Sequence, residues 1–376
     1  MNQYKKILVL PHIGTAFGHL VRTAEFLSDF SNQSNAKIYI VIPEKVVDFA
    51  KVHIPDGLQI ITRQQQVTVN NSIGKLLIDD FKKYFDEDEV LFQKITPDLI
   101  ISDPGIQGAI LWYKYKKPWI GLVHGGYLPA PQIENEELSY LAQKTWQTIN
   151  KSLDRLIQIG TNDKYQTWAE LRSSGFLIIP NMQQNEPVII EAGHINKKLD
   201  KIGWENKSEV ELLITCCSSG EIEPTEKFLR KLQLYYFNIA VAGLNKKGII
   251  NGINYLGNTV NFESLVGKDT TVITHGGHGT LKAVSNAKRI ITIPSDLDQL
   301  CNSIISHINK NTELVFDKNW LEVLEHNPYR RVINWDNIEI SKNKNEIVFS
   351  GVSNCRFCSE LFLTTKVTKF YTRDTK

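Results

Sequence analysis

The sequence predicts an α/β chain of two doubly wound, Rossmann-like domains facing a cleft, followed by a short β-like tail. Three observations predict it. Short apolar runs alternate with helix-period segments, the pattern of a parallel sheet covered on both faces. That pattern stops and restarts across a polar stretch at 193–208. Glycine-rich turns close several apolar runs, at the carboxyl ends of strands where such sheets bind ligands.

In the first half, Ile7–Leu10 reads as a strand, followed by a loop through Gly14 and Gly18 and a helix with Leu20, Ala24 and Leu27 on one face. Lys37–Ile42 is a second strand, and Leu99–Ser102 a third that ends at the stop signal Asp103-Pro104-Gly105. Trp119–Val123 follows and closes on His124-Gly125-Gly126. These elements assign 1–192 to a first domain and 193–208 to a linker. The second domain, 209–340, holds strands at Val210–Thr215, Phe237–Ala242, Thr271–Thr274 and Arg289–Ile293, with a helix at Glu223–Leu234. Residues 341–376 have no helical period and carry the strand-like runs IVFSGV and LFLTTKV. A small accessory hairpin and a poorly ordered end both fit that tail.

A chain of 376 residues can bury two cores. Apolar residues at 42% and charged residues at 22% are the proportions of a soluble globular protein. A net charge of +2 excludes whole-molecule attraction to nucleic acid. The Ile7–Leu10 run is too short for a signal-peptide core. No segment approaches the roughly 20 apolar residues of a transmembrane helix. A cytoplasmic protein is expected, with peripheral membrane contact left open. The five cysteines (Cys216, Cys217, Cys301, Cys355, Cys358) have no disulfide-framework spacing. Cys355-x-x-Cys358 reads as a free thiol pair, with zinc or redox chemistry as the alternatives.

Thr271-Val-Ile-Thr-His-Gly-Gly-His-Gly-Thr280 places a strand, a tight turn and a helix start in order. Gly276, Gly277 and Gly279 let a ligand approach the backbone, and helix-start amides favour an anion. His275 adds a donor for phosphate oxygen and Thr280 a hydroxyl. Beyond the next strand, Pro294-Ser-Asp-Leu-Asp298-Gln299 offers Asp298 and Gln299 to vicinal hydroxyls of a sugar. Ser295-x-x-Asp298 also reads as a capping box for a helix with Leu300, Ile304 and Ile308 on one face. The two roles are compatible.

HGGHGT followed by PSDLDQLCN resembles the donor-binding signature of nucleotide-sugar glycosyltransferases with the GT-B fold, over roughly residues 260–310. The resemblance implies a nucleoside-diphosphate sugar as co-substrate, with uridine or thymidine diphosphate fitting best, and no other cofactor or metal. It implies that His275, Gly277, Gly279 and Thr280, with Gly276 in the same turn, hold the diphosphate while Asp298 and Gln299 hold the sugar. Ser218-Ser219-Gly220 resembles the family's Gly-Ser loop near the phosphates. Two departures stand out: the family's ribose-binding Glu is replaced by Lys282 or Ala283, and its Gly-x-Pro by Ala287-Lys288-Arg289. Both imply altered ribose recognition.

In the first half, Gly18-His19 resembles the family's general base, and Asp103 its acidic partner, implying direct displacement with inversion. A base needs a partner that fixes its tautomer and stabilises the imidazolium. His12 is a rival base, His19 also suits a helix cap, and Asp103 suits a turn. His124 and Tyr127 lie where the family forms its acceptor pocket. Gly-His-x-x-Arg22 also resembles bacterial nucleotide-sugar hydrolases of this fold. The expected function is metal-independent, inverting glycosyl transfer, with a hydrolase and a non-catalytic nucleotide-sugar-binding helper as alternatives. The acceptor is open among a small molecule, a lipid-linked sugar and a peptide.

Overall fold

The computed structural model describes residues 4–11, 18–31, 35–63, 73–178, 210–216, 223–257, 260, 262–309, 312–315, 335–343 and 346–351. Two sheets of buried apolar strands organise it. The first comprises β1 (Lys6–Pro11), β2 (Lys37–Pro43), β3 (Gln59–Arg63), β4 (Leu99–Asp103), β5 (Trp119–Leu122) and β6 (Phe176–Ile178), in the order β3-β2-β1-β4-β5-β6. Every pair is parallel. Ile7, Leu8, Val9 and Leu10 are all fully buried, because helices cover both faces of the sheet. Those helices are α1 (Gly18–Ser31), α2 (Val47–His53), α3 (Ile73–Ile95), α4 (Ile106–Tyr115), α5 (Glu136–Thr161) and the short α6 (Trp168–Leu171).

The second sheet contains β7 (Leu212–Thr215), β8 (Ile239–Ala242), β9 (Lys247–Ile250), β10 (Ile253–Gly257), β11 (Thr271–Thr274), β12 (Arg289–Thr292) and β13 (Glu313–Leu314). Their order is β13-β12-β11-β7-β8-β10-β9, parallel except for the β9–β10 hairpin. Helices α7 (Glu226–Leu232), α8 (Phe262–Leu265), α9 (His278–Ala283) and α10 (Leu297–Ile308) accompany it. A hairpin of β14 (Ile338–Asn343) and β15 (Glu346–Gly351) adds Ile338 and Phe349 to the core of this lobe, beside Trp335. The IVFSGV run lies in that hairpin, while LFLTTKV falls outside the described residues.

Each sheet reverses its winding at one place, β1/β4 in the first and β7/β11 in the second. Open α/β sheets bind ligands outside the carboxyl ends of strands at such points. Asp103 ends β4, α1 carries His19 after β1, and the HGGHGT run follows β11.

Several boundaries differ from the sequence reading by one to three residues, and two of them have a clear local reason. Helix α7 starts at Glu226 rather than Glu223, because Thr225 caps it by accepting the Phe228 amide. Strand β8 starts at Ile239 rather than Phe237, whose ring is 88% exposed. The Phe237 and Asn238 amides are instead held by the Glu211 carboxylate.

Helix α10 joins the lobes. Its Leu297, Leu300, Cys301, Ile304 and Ile305 belong to one apolar cluster with Tyr127, Leu128 and Ile149 of the first lobe. The fit is close enough that a Cβ on Gly125 would collide with Ile305 Cδ1. The Gly125-Gly126 pair is therefore small because α10 lies on it. Ile304 is fully buried, so Ile304→Ala should lower stability by about 2–5 kcal/mol in urea denaturation. A loss well under 1 kcal/mol would mean that α10 is loosely seated.

Candidate functional site

The site begins with one carboxylate. Asp103 is fully buried, and four hydrogen bonds from α1 converge on it. His19 Nδ1 lies 2.6 Å from Oδ1, Arg22 Nε donates to Oδ2 at 2.8 Å, and Thr23 Oγ1 donates to Oδ2 at 3.2 Å. Arg22 Nη2 closes a second, short bond to Oδ1, so the guanidinium grips the carboxylate with both arms. Burial alone would raise the Asp103 carboxyl. The Arg22 charge, His19 and their hydrogen bonds overcome it and hold the group far below the usual carboxylate range. Arg22 in turn is pushed down by burial and pulled up further by Asp103.

His19 Nδ1 also lies 3.0 Å from Arg22 Nη2. A ring nitrogen cannot donate to Asp103 and accept from Arg22 at once. The shorter contact, to an ionised carboxylate, assigns the proton to Nδ1 and the lone pair to Nε2. That is the tautomer a general base requires.

Across the cleft, His124 is buried at the end of β5. Its Nδ1 accepts the Gly126 amide at 3.2 Å, which leaves the proton on Nε2, 3.4 Å from Asp298 Oδ1. Asp298 is the second residue of α10, so this contact joins the two lobes. Partial desolvation where its carboxylate meets the opposite lobe tends to raise Asp298, and the contact with His124 outweighs it to leave the carboxyl lowered. The Asp298 side chain is 58% exposed, so solvent screens the contact to about 0–1 kcal/mol. Tyr127 packs edge-on against His124 and Trp168, with ring centroids at 4.5 and 5.7 Å. Burial, then Asp298 and Asp103, push its hydroxyl well above the ordinary tyrosine value, with Arg22 opposing.

A second link between the lobes joins helix to helix. Lys282 Nζ on α9 lies 3.3 Å from Glu25 Oε2 on α1. His19, Arg22 and Glu25 recur every three residues along α1, and His278 and Lys282 stand one turn apart on α9. Two polar helix faces thus oppose each other.

The turn after β11 is shaped by packing. Gly276 has φ +82°, and a Cβ there would collide with Ser303 Oγ of α10. At Gly277 a Cβ would stand 2.6 Å from His275 Nε2, so the imidazole folds back over the turn. Gly279 faces open space. Thr280 lies in the first turn of α9, half-buried.

No family model matches the chain, and no curated protein matches it in sequence. Solved structures do match. The glycotransferase of kitacinnamycin superposes with TM-score 0.59 at 12% identity, over 84% of this chain and 86% of its own. Arabidopsis thaliana UGT89C1, complexed with UDP-L-rhamnose, gives 0.53 at 13% over 84% and 86%. The spinosyn rhamnosyltransferase SpnG, complexed with thymidine diphosphate, gives 0.52 at 12% over 84% and 86%. The chain has the GT-B glycosyltransferase fold.

Within this GT-B fold the expected residues fall into three sets. His19 and Asp103 are bonded to each other, and His124 reaches Asp298 from the opposite lobe. His275, Gly276, Gly277, Gly279 and Thr280 form the turn that opens α9. Ser218, Ser219, Gly220 and His12 lie outside the described residues, as do Cys217, Cys355 and Cys358. Cys216 and Cys301 are buried free thiols. Helix α10 is capped by Asp296, which accepts the Gln299 amide at 2.8 Å, rather than by a Ser295–Asp298 box. Gln299 is turned inward, its Oε1 accepting the Ser295 amide at 3.0 Å and hydroxyl at 2.8 Å.

Three cleft residues were absent from the expected set. Arg22 was legible only as the last residue of the Gly-His-x-x-Arg pattern and Thr23 only as a helix neighbour of His19, while His278 fills the variable place of HGGxGT. Among the described residues no group of three or more His, Cys, Asp or Glu is placed to hold a metal ion. No helix described is long and apolar enough to cross a membrane.

The inward turn of Gln299 separates it from its neighbour. Gln299→Ala should cost about 1–3 kcal/mol in chemical denaturation, because buried Ser295 loses its partner. Asp298→Ala should stay within about 0.5 kcal/mol. Equal losses from both would contradict this division.

Proposed function

We propose that this chain is an enzyme that transfers a glycosyl group from a uridine- or thymidine-diphosphate sugar to an acceptor hydroxyl or other nucleophile, with inversion and without a metal. The observation that carries the reading is the His19–Asp103 pair, 2.6 Å apart at the switch point of the first sheet, opposite the turn after β11. The GT-B fold supports it, and the structural relatives solved with UDP-L-rhamnose and thymidine diphosphate suggest the donor class.

In this reading His19 Nε2 takes the proton of the acceptor hydroxyl as its oxygen attacks the anomeric carbon. The bond from that carbon to the diphosphate oxygen breaks, and the nucleoside diphosphate leaves with the electron pair. Attack from the face opposite the leaving group inverts the centre. Asp103 stays ionised throughout and stabilises the imidazolium, as a buried carboxylate does in other His–Asp pairs. Arg22 and Thr23 fix Asp103 so that its aim at His19 does not wander. His275 and the turn at Gly276–Thr280 receive the diphosphate, and Asp298, open to the cleft, receives sugar hydroxyls.

One observation favours hydrolysis as a second reading. Tyr127 and His124, expected to shape an acceptor pocket, are 9% and 5% exposed and lie packed beside α10. Water reaching His19 in place of an alcohol would release the free sugar. Donor turnover without added acceptor distinguishes the two.

His19→Ala should lower turnover of UDP- or TDP-sugars by about 10²–10⁴-fold while donor affinity holds. Full activity in the variant would remove His19 as base. Binding of nucleotide with no turnover under any donor and acceptor would favour a binding protein instead.

A further inference from the structure

His278 is an ionisable group of the cleft to which the reaction above gives no task. It is the first residue of α9, set between Gly277 and Gly279. Its Nε2 is sealed from solvent and has no hydrogen-bond partner. Charged and titratable groups face it from both lobes: Arg22 of α1, His124 after β5, Lys282 one turn along α9, and Asp103 at the end of β4. Burial, then Arg22, His124 and Lys282, lower the imidazole to about 3, with Asp103 opposing. In the unliganded protein it is therefore neutral at physiological pH.

The nearby cations are already committed. Arg22 is bound with both arms to Asp103, and Lys282 is paired with Glu25. His124 is engaged on both ring nitrogens, accepting the Gly126 amide on Nδ1 and facing Asp298 through Nε2. A diphosphate entering this cleft would bring negative charge into a partly desolvated space whose fixed cations are neutralised. A group that can gain a positive charge on demand would offset it. Gly279, beside His278, has open space where a side chain would stand.

We propose that His278 is a direct ligand of the donor diphosphate and takes up a proton as the diphosphate binds. The inference rests on the nucleotide-sugar reading above and adds the group that balances the ligand charge. The linkage has a definite sign. An adjacent anion favours the imidazolium, so the bound state holds more protons than the free state at neutral pH. Affinity then falls as pH rises through the bound-state value. A histidine that only packs against its neighbours shows neither effect.

Calorimetry of UDP binding in two buffers of different ionisation enthalpy counts the protons. At about pH 7.5 the wild type should take up close to one proton more than His278→Gln, and the variant should bind about tenfold more weakly or worse. Equal uptake and equal affinity would overturn the proposal. Histidine-labelled NMR of the wild type provides a check that does not depend on the variant folding. UDP should move the His278 nitrogen shifts from neutral to imidazolium values, and unmoved shifts in the UDP-bound protein would overturn the proposal. The two readings fail differently: absence of UDP binding would sink the nucleotide reading and this one with it. Binding without proton uptake sinks the role of His278 alone.

Discussion

Asp103 carries a negative charge with no exposure to solvent, and it stays ionised because α1 presents Arg22, His19 and Thr23 to it at once. A buried carboxylate without such partners would protonate, and a buried guanidinium without the carboxylate would be a larger defect. The arrangement thus fixes three things together: the position of α1 over β1 and β4, the tautomer of His19, and the direction in which Nε2 is basic. The remaining cleft residues are arranged around an imidazole whose orientation Asp103 sets.

The lobes meet through a mixed seam. Apolar packing of α10 against Tyr127, Leu128 and Ile149 supplies the hydrophobic part, while His124–Asp298 and Lys282–Glu25 cross the polar part. Area-driven burial of α10 is the stronger contribution, since the His124–Asp298 contact is screened and the Lys282–Glu25 pair is only partly buried. Lys282, which with Ala283 stands where the resemblance implies a ribose-binding carboxylate, serves a contact between helices. The same charge that departs from the family pattern lowers His278 by its proximity.

Much of the fold was legible because the central strands are buried on both faces and read as unbroken apolar runs, as in Ile7–Leu10 and Thr271–Thr274. The edges were less so. β9 is exposed along its length and has no burial pattern, and β3 and β6 lie at the margins of their sheet. At the site, the pairing of His19 with Asp103 was what the family resemblance implied, and the parallel register of β1 with β4 brings the two strand ends together. The inward turn of Gln299 was not implied, because its partner Ser295 is chosen by the geometry of one loop. His278 was hidden for another reason: the motif permits many residues at that place, so its imidazole carries meaning only once Arg22 and Lys282 are known to face it.

Denaturation of Asp103→Asn in urea, followed across pH, tests the central claim that an ionised Asp103 anchors the site. A carboxyl held below its unfolded value adds stability that is present above about pH 4 and is lost as pH falls toward the depressed value. The account predicts a loss of about 3–5 kcal/mol at neutral pH, because Arg22 is left buried without its counter-charge, and a flatter acid limb in the variant. Equal stability at neutral pH, with parallel acid limbs in the two proteins, would contradict it.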